Sequence, residues 1–343
     1  MDNKNDNILK ELKLKKIKNK LLMGFDIGGS LTKICILTEK KEKEINDLLL
    51  SKKKFEYIDL NLYNLYLTCF STNNFEKNLS SLLSELNKLI TIEEIDATGG
   101  GAYKFFNLVK NNFNIEFQKH DELQSLKFGY EFMNNYNSFY EIRMDNNTKK
   151  KVNVDNLIFP HISTNIGSGV SILKVSTPNK YERIGGTLMG GGTLVGLSKL
   201  IFGIDDFDEI LNLASKGNHE NVDLMKKDIL KESKDVSDNF IVSSLGKIHE
   251  FIQSGKKEEI KKEDISLSLL KMICSHIAQY SVIYAEQCKI DTIYYFGTFT
   301  KKDSIVDNLL NEASKFWNKD IKVRFNYYSG YLGAIGTLLE QNK

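Results

Sequence analysis

Asp26-Ile27-Gly28-Gly29-Ser30 places a carboxylate immediately before a glycine turn, and Lys33 follows three residues after it. Apolar, β-prone residues stand on both sides, Leu22 and Phe25 before and Ile34 and Ile36 after, which is the pattern of a hairpin with a tight glycine turn. Such a turn offers backbone N–H groups where no Cβ blocks approach, a geometry that suits a phosphate. A carboxylate at the end of a buried strand beside that turn could orient hydrated Mg2+. Lys33, across the same hairpin, could approach a transferring phosphoryl group. A second turn of the same design follows at Asn165-Ile166-Gly167-Ser168-Gly169, between Ile162 and Val170-Ser171-Ile172. The pair suggests a duplicated domain clamping a nucleotide from both sides.

Further residues could join that chemistry. Gly167-Ser168-Gly169 begins like GxGxxG, but the third glycine is Ile172, and no GxxxxGK[ST] occurs. The second turn is therefore read as a phosphate-contacting hairpin and not as a dinucleotide fingerprint. Between Gly185 and Thr193 five of nine residues are glycine (185, 186, 190, 191 and 192), between an expected strand and an expected helix. A glycine-rich entry to a helix N-terminus suits a phosphate or a nucleotide sugar; a flexible loop is the plainer reading. Gly297 follows an expected strand, and Gly330 with Gly333 precedes the final expected helix; glycines at strand ends let a ligand lie across a sheet edge, or simply make turns. Asp121-Glu122 stands at an expected helix start. Either acid could accept the proton of a hydroxyl being phosphorylated, or both could merely favour the helix N-terminus. Arg183 could grip a carboxylate or phosphate with two N–H groups, or face solvent.

The elements that must position these residues alternate between strand and helix, which argues for an α/β architecture. Strands are expected over Leu22–Asp26, Leu31–Thr38, Phe55–Leu60, Ile95–Thr98 and Ile115–Phe117, with helices over Phe75–Leu89, after Gly101, and from Asp121. The second half reads as strands Leu157–Thr164, Val170–Ser176 and Tyr181–Gly186. Helices follow from Gly192, over Asp206–Ala214, over Phe240–Phe251 and, longest, over Ile265–Cys288. Strand Thr292–Phe296, a helix from Val306 to Trp317, strand Ile321–Phe325 and helix Leu332–Leu339 close the pattern. Trp317 is expected in the core. The polar run Asp145–Lys151 reads as a loop tip, so the lobes are placed at residues 21–150 and 151–343, after a solvated, partly helical tail over residues 1–20.

At 343 residues the chain can bury two cores. A net charge of +2 leaves no general nucleic-acid footprint. Cys35, Cys69, Cys274 and Cys288 lack metal-site spacing and read as reduced, buried thiols. No apolar run reaches eighteen residues, so no membrane span is expected and the protein is read as cytoplasmic.

The ordered set DIGGS, ATGGGAYKF, KHDEL, NIGSGVSIL, YERIGGTLMGGGT and YSGYLGAIGTLL, from about Met23 to Leu339, resembles the eukaryotic-type (type II) pantothenate kinases of the actin-like ATPase and sugar kinase superfamily. The resemblance implies a duplicated actin-like (ribonuclease H-like) α/β kinase fold, two lobes around a nucleotide cleft. It implies transfer of the ATP γ-phosphate, with Mg2+, to the primary hydroxyl of pantothenate, the committed step of coenzyme A biosynthesis. By motif position, Glu122 matches the family's general base, Arg183 the residue that engages pantothenate, and Ser168 a serine near the phosphates and pantothenate. Gly28, Gly29, Ser30 and Lys33 match the ATP phosphate loop and Asp26 its metal-side carboxylate. Gly167 belongs to the second turn; Gly190, Gly191, Gly192, Thr193 and Gly297 match nucleotide-side positions. A homodimer, or a heteromer with a paralogue, and feedback inhibition by acyl-CoA are also implied. Thr298 replaces the family's usual Asn, and Tyr328-Ser329 replaces an acidic-histidine pair. Two alternatives stay open: another small-molecule kinase of the fold, such as an N-acetylhexosamine kinase, or a catalytically weak regulatory or scaffold subunit.

Overall fold

The computed structural model describes residues 21–52, 54–60, 62–134, 136, 138–145, 148–154, 157–177, 180–230, 240–300 and 305–339. The tail expected over residues 1–20 lies outside them. The chain divides into two compact units: Met1–Tyr140 with Asn153–Leu157 and Asn326–Lys343, and Glu141–Val152 with Ile158–Phe325.

In the first unit, β1 (Leu21–Ile27), β2 (Leu31–Glu39), β3 (Glu56–Leu60), β4 (Tyr63–Ser71), β5 (Glu94–Thr98) and β6 (Glu116–Lys119) form one sheet in the order β3-β4-β2-β1-β5-β6. The hairpin side is antiparallel; β1, β5 and β6 run parallel. Helix Phe75–Leu86 buries Phe75, Leu79, Leu83 and Leu86, the one-face spacing of an amphipathic helix. These side chains join Phe25, Ile27, Ile34, Ile36 and Ile95 in one apolar core. Strand β4 and helix Lys43–Leu50 lie where the sequence patterning had suggested neither.

The second unit has a seven-stranded sheet. It is built from β7 (Phe139–Asp145), β8 (Thr148–Val154), β9 (His161–Ile166), β10 (Val170–Thr177), β11 (Lys180–Thr187) and, after the small pair β12 (Leu224–Met225) and β13 (Ile241–Ser243), β14 (Thr292–Phe296) and β15 (Lys322–Asn326). Its order is β11-β10-β9-β14-β15-β7-β8. The run β11-β10-β9-β14-β15 repeats β4-β2-β1-β5-β6 strand for strand, three antiparallel strands followed by two parallel ones. This is the duplicated actin-like α/β fold.

A third pair of positions extends the duplication beyond the two turns. Gly99 follows β5 at φ 82°, and Gly297 follows β14 at φ 101°. A Cβ on Gly99 would lie 2.7 Å from Ile27 O and 3.0 Å from Asp26 Oδ1; one on Gly297 would overlap Ile166 O and lie 2.9 Å from Asn165 Oδ1. Asp26 and Asn165 are thus equivalents, each facing the glycine that ends the neighbouring parallel strand. Left-handed backbone and close approach both demand glycine there. Gly99→Ala and Gly297→Ala are each expected to cost on the order of 1–3 kcal/mol, read as a lowered Tm. Unchanged thermal melting would refute the requirement.

Several expectations are corrected. A single cut near residue 150 does not describe the chain, because Asn326–Lys343 belongs with the first unit. Helix Leu332–Thr337 packs there on helix Glu122–Asn134: a Cβ on Gly129 would overlap the Leu332 backbone, and one on Gly336 the Ser125 backbone. The polar run Asp145–Lys151 is no mere loop, since Thr148–Lys151 belongs to β8 and completes a hairpin with β7. Phe240–Phe251 is not one helix but strand β13 and the short helix Ile248–Gln253. Trp317 is 45% exposed, because its helix ends there, and its ring meets Phe316 edge-on.

Cys35 and Cys274 are buried and Cys69 is exposed. Burial pushes the Cys35 and Cys274 thiols well above their ordinary range. A thiol reagent is therefore expected to label Cys69 in the native protein and to reach Cys35 and Cys274 only after denaturation. Native labelling of either buried cysteine, read by mass spectrometry, would contradict this.

Candidate active site

In the first unit the antiparallel register sets Asp26 directly opposite Lys33. Directly opposite residues share a face of the sheet, and Lys33 Nζ reaches Asp26 Oδ2 at 3.2 Å, with side chains 15% and 17% exposed. Gly99 stands against Oδ1 of the carboxylate. On the other side, a Cβ on Gly333 would lie 3.0 Å from Oδ2. Of the C-terminal glycines of YSGYLGAIG, Gly333 therefore leaves room for Asp26, a role the sequence reading left between ligand approach and turn.

The turn after Asp26 is pinned from β4's end. Gly28 N donates to Leu31 O at 3.1 Å, Thr72 N to Ser30 O at 2.9 Å, and Thr72 Oγ1 to Gly28 O at 2.9 Å. Neither Gly28 nor Gly29 lies in the left-handed region, so the turn is not of the mirror-image hairpin type. A Cβ on Gly28 would be a tight fit, 3.2 Å from Leu31 O and 3.4 Å from Lys33 Nζ; around Gly29 there is open room. Gly29 and Ser30 are exposed. A groove of about 730 Å3 opens beside Gly29 and Thr72, lined also by Lys77, Lys104 and Phe105, but none of Asp26, Lys33 and Glu122 lines it.

Glu122 is the first residue of helix Glu122–Asn134. Asp121 caps that helix, its Oδ1 accepting from Gln124 N at 2.9 Å. Of the two acids, Asp121 is thus occupied by structure. Glu122 accepts no hydrogen bond among the described residues. Its carboxyl is held above the usual glutamate range, first by desolvation from the surrounding protein, then by the Asp26 carboxylate, with Lys33 opposing. Asp26, Lys33 and Glu122 form one electrostatic cluster. The residue before the acids, His120, donates from Nε2 to buried Asp96 at 2.5 Å. The sequence reading assigned neither residue a role; the only signal was the position of His120 within KHDEL.

In the second unit, the glycine-rich run packs onto the second turn. Gly191 N donates to Gly167 O at 2.8 Å and Gly192 N to Ser168 O at 3.0 Å, while Gly167 N closes its own turn on Gly169 O at 2.9 Å. A Cβ on Gly190, Gly191 or Gly192 would lie 2.8–3.0 Å from these same carbonyl oxygens. Contrary to the expectation for a glycine-rich helix entry, the helix Gly191–Phe202 does not offer the Gly191 and Gly192 N–H groups to a phosphate; they already hold the turn. Thr193 N donates to Gly190 O at 3.1 Å, and Thr193 Oγ1 to Leu188 O at 3.1 Å. Ser168 is exposed at the tip of the turn. Gly297 stands on the other side of β9's end, against Asn165. Arg183 is exposed on β11, paired with Leu173 beyond a bulge that shifts the register between Ile172 and Leu173. Such a bulge re-aims side chains, and the Arg183 guanidinium reaches back to within 3.6 Å of where a Gly186 Cβ would be.

Residues 22–340 match the Fumble family along nearly the whole chain. The chain belongs to the Fumble family. Pantothenate kinase of Schizosaccharomyces pombe is 31% identical over 326 residues, 92% of this chain and 80% of that protein. Pantothenate kinase 1 of Arabidopsis thaliana is 36% identical over 255 residues, 72% of this chain and 66% of its own length. A 4'-phosphopantetheine phosphatase of Mus musculus is 33% identical over 344 residues, 94% of this chain. This Fumble chain spans only 41% of the mouse protein. Among solved structures, component A of (R)-2-hydroxyglutaryl-CoA dehydratase from Acidaminococcus fermentans aligns at 14% identity and a TM-score of 0.48, over 93% of this chain and 96% of that one. Strand order and family membership, rather than that likeness, carry the fold. No described helix is long and apolar enough to cross a membrane.

Proposed function

We propose that this Fumble-family protein is an ATP-dependent pantothenate kinase, yielding 4'-phosphopantothenate for coenzyme A synthesis. One observation carries the reading: Glu122, its carboxyl raised in pKa, shares an electrostatic cluster with Asp26 and Lys33 beside a turn shaped for phosphate. Phosphoryl transfer needs alignment, charge neutralisation and a base near the acceptor proton. Glu122 accepts the proton of the pantothenate hydroxyl as its oxygen bonds to the γ-phosphorus and the bond to the ADP oxygen breaks. Lys33 stabilises charge on the transferring group. Arg183 holds the pantothenate carboxylate, and Ser168 and the second turn serve the same substrates. The residues fit Mg2+: one carboxylate, flanked by Gly99 and Gly333 where side chains would crowd it, suits an ion bound mainly by water and phosphate oxygens. When bound through Asp26, Mg2+ would neutralise phosphate charge. Dimerisation, inhibition by acyl-CoA and a cytoplasmic location belong to the same proposal.

Purified protein with ATP, Mg2+ and labelled pantothenate is expected to form labelled phosphopantothenate. No product with pantothenate, but turnover of an N-acetylhexosamine, would move the reading to another kinase of the fold. The mouse relative is named for a phosphatase and not for a kinase, so a second reading, a catalytically weak subunit, stands beside the first. ATP binding without phosphorylation of pantothenate until a paralogue is added would support it.

A further inference from the structure

We infer that His120 and Asp96 are positioning residues for Glu122, a proposal that rests on the kinase reading. The Glu122 carboxylate accepts no hydrogen bond among the described residues, so its place is set by the backbone that delivers it. That backbone is anchored two residues earlier, at His120, by three consecutive residues of β5. Asp96 Oδ1 accepts from His120 Nε2 at 2.5 Å, Ala97 O accepts from His120 N at 2.8 Å, and Thr98 Oγ1 donates to His120 O at 3.0 Å. The same three residues pair in register with Gly24, Phe25 and Asp26 of β1. Strand β5 is therefore the ruler between Asp26 and Glu122, and the His120–Asp96 bond is the contact that fixes the chain as it turns off the ruler into the helix. The two side chains are 11% and 4% exposed. Burying a pair that can carry charge is expensive relative to an apolar pair, which argues for a geometric task. Asp121 then caps the helix and Glu122 projects from its first turn. Thr98 supplies a second link, because it stands beside Asp26 while holding the His120 carbonyl.

The test is a double-mutant cycle measured with labelled pantothenate. His120→Ala is expected to lower kcat by about 10- to 100-fold while KM for ATP and pantothenate moves less than about threefold, because displacement of a reacting group is felt in turnover. His120→Gln, which keeps an N–H for Asp96, should stay within about threefold of the parent kcat. In a Glu122→Gln background, His120→Ala should change the residual rate by less than about threefold, since the group it positions is gone. If the alanine variant does not fold, His120→Leu, similar in volume but without a donor, takes its place in the cycle. An equal loss of kcat in both backgrounds overturns the positioning role and leaves the kinase reading intact. Full turnover in Glu122→Gln alone instead overturns the base assignment, and the positioning role with it.

Discussion

Glu122→Gln lowers kcat by about 10²- to 10⁴-fold, the range typical for loss of a positioned general base, with KM for ATP little changed. Glutamine keeps the shape of the side chain and the first turn of its helix. It cannot accept the hydroxyl proton. Because Asp121, and not Glu122, caps the helix, the substitution removes no structural hydrogen bond, and thermal melting should stay close to that of the parent. The pH dependence gives an independent reading. A base works only when deprotonated, so turnover falls as pH drops through the Glu122 pKa. Desolvation and the Asp26 carboxylate raise that pKa in the free protein, so the acidic limb of kcat/KM, which reports the free enzyme, lies above the ordinary glutamate range. The Gln variant should lose that limb and keep a low, flat rate on the acid side. Unaltered turnover, or an unshifted limb, measured from pH 4 upward on the purified protein, would remove Glu122 from the reaction.

The parts of this site that could be read from sequence were the local ones. DIGGS, with apolar residues alternating on both sides, announced β1, its turn and β2. NIGSG announced β9 and β10. Residues brought together by parallel pairing were not visible, because nothing in a chain encodes which distant strand lies beside which. The contacts of Gly99 and Gly333 with Asp26 depend on such pairing and on the C-terminal helix returning to the first unit. So does the bond from Asp96 to His120, two residues 24 positions apart. The choice between Asp121 and Glu122 also needed coordinates, since capping is decided by where one carboxylate oxygen points. The glycine-rich run erred in the opposite direction. Its composition suggested free N–H groups for a phosphate, whereas two of those donors bind carbonyls of the second turn, and the glycines are there so that helix and turn can meet.

The other large effect is expected at Asp26. Asp26→Asn keeps the volume between Gly99 and Gly333 and keeps an oxygen for Lys33, so the fold should survive with at most a modest fall in Tm. What it removes is the negative charge. Loss of the carboxylate that would hold Mg2+, a contribution of several kcal/mol to stabilising transferred charge, should lower kcat/KM for ATP by roughly 10²- to 10³-fold and raise the Mg2+ concentration giving half-maximal rate. Lys33 exchanges the carboxylate that now lies 3.2 Å from it for an uncharged amide oxygen, a weaker partner that holds its ammonium less firmly in place for a phosphoryl group. A second consequence separates this account from simple damage to the site. The Asp26 charge is one of three causes that raise the Glu122 carboxyl, after the larger desolvation and before Asp121. Neutralising Asp26 removes that one cause, so the acidic limb of the residual kcat/KM should move to lower pH without reaching that of a free glutamate. Misfolding or a displaced loop would lower the rate without moving the limb in that direction. A limb that stays in place, in a variant whose Mg2+ requirement is also unchanged, would mean that Asp26 neither holds the ion nor faces Glu122 across the working site.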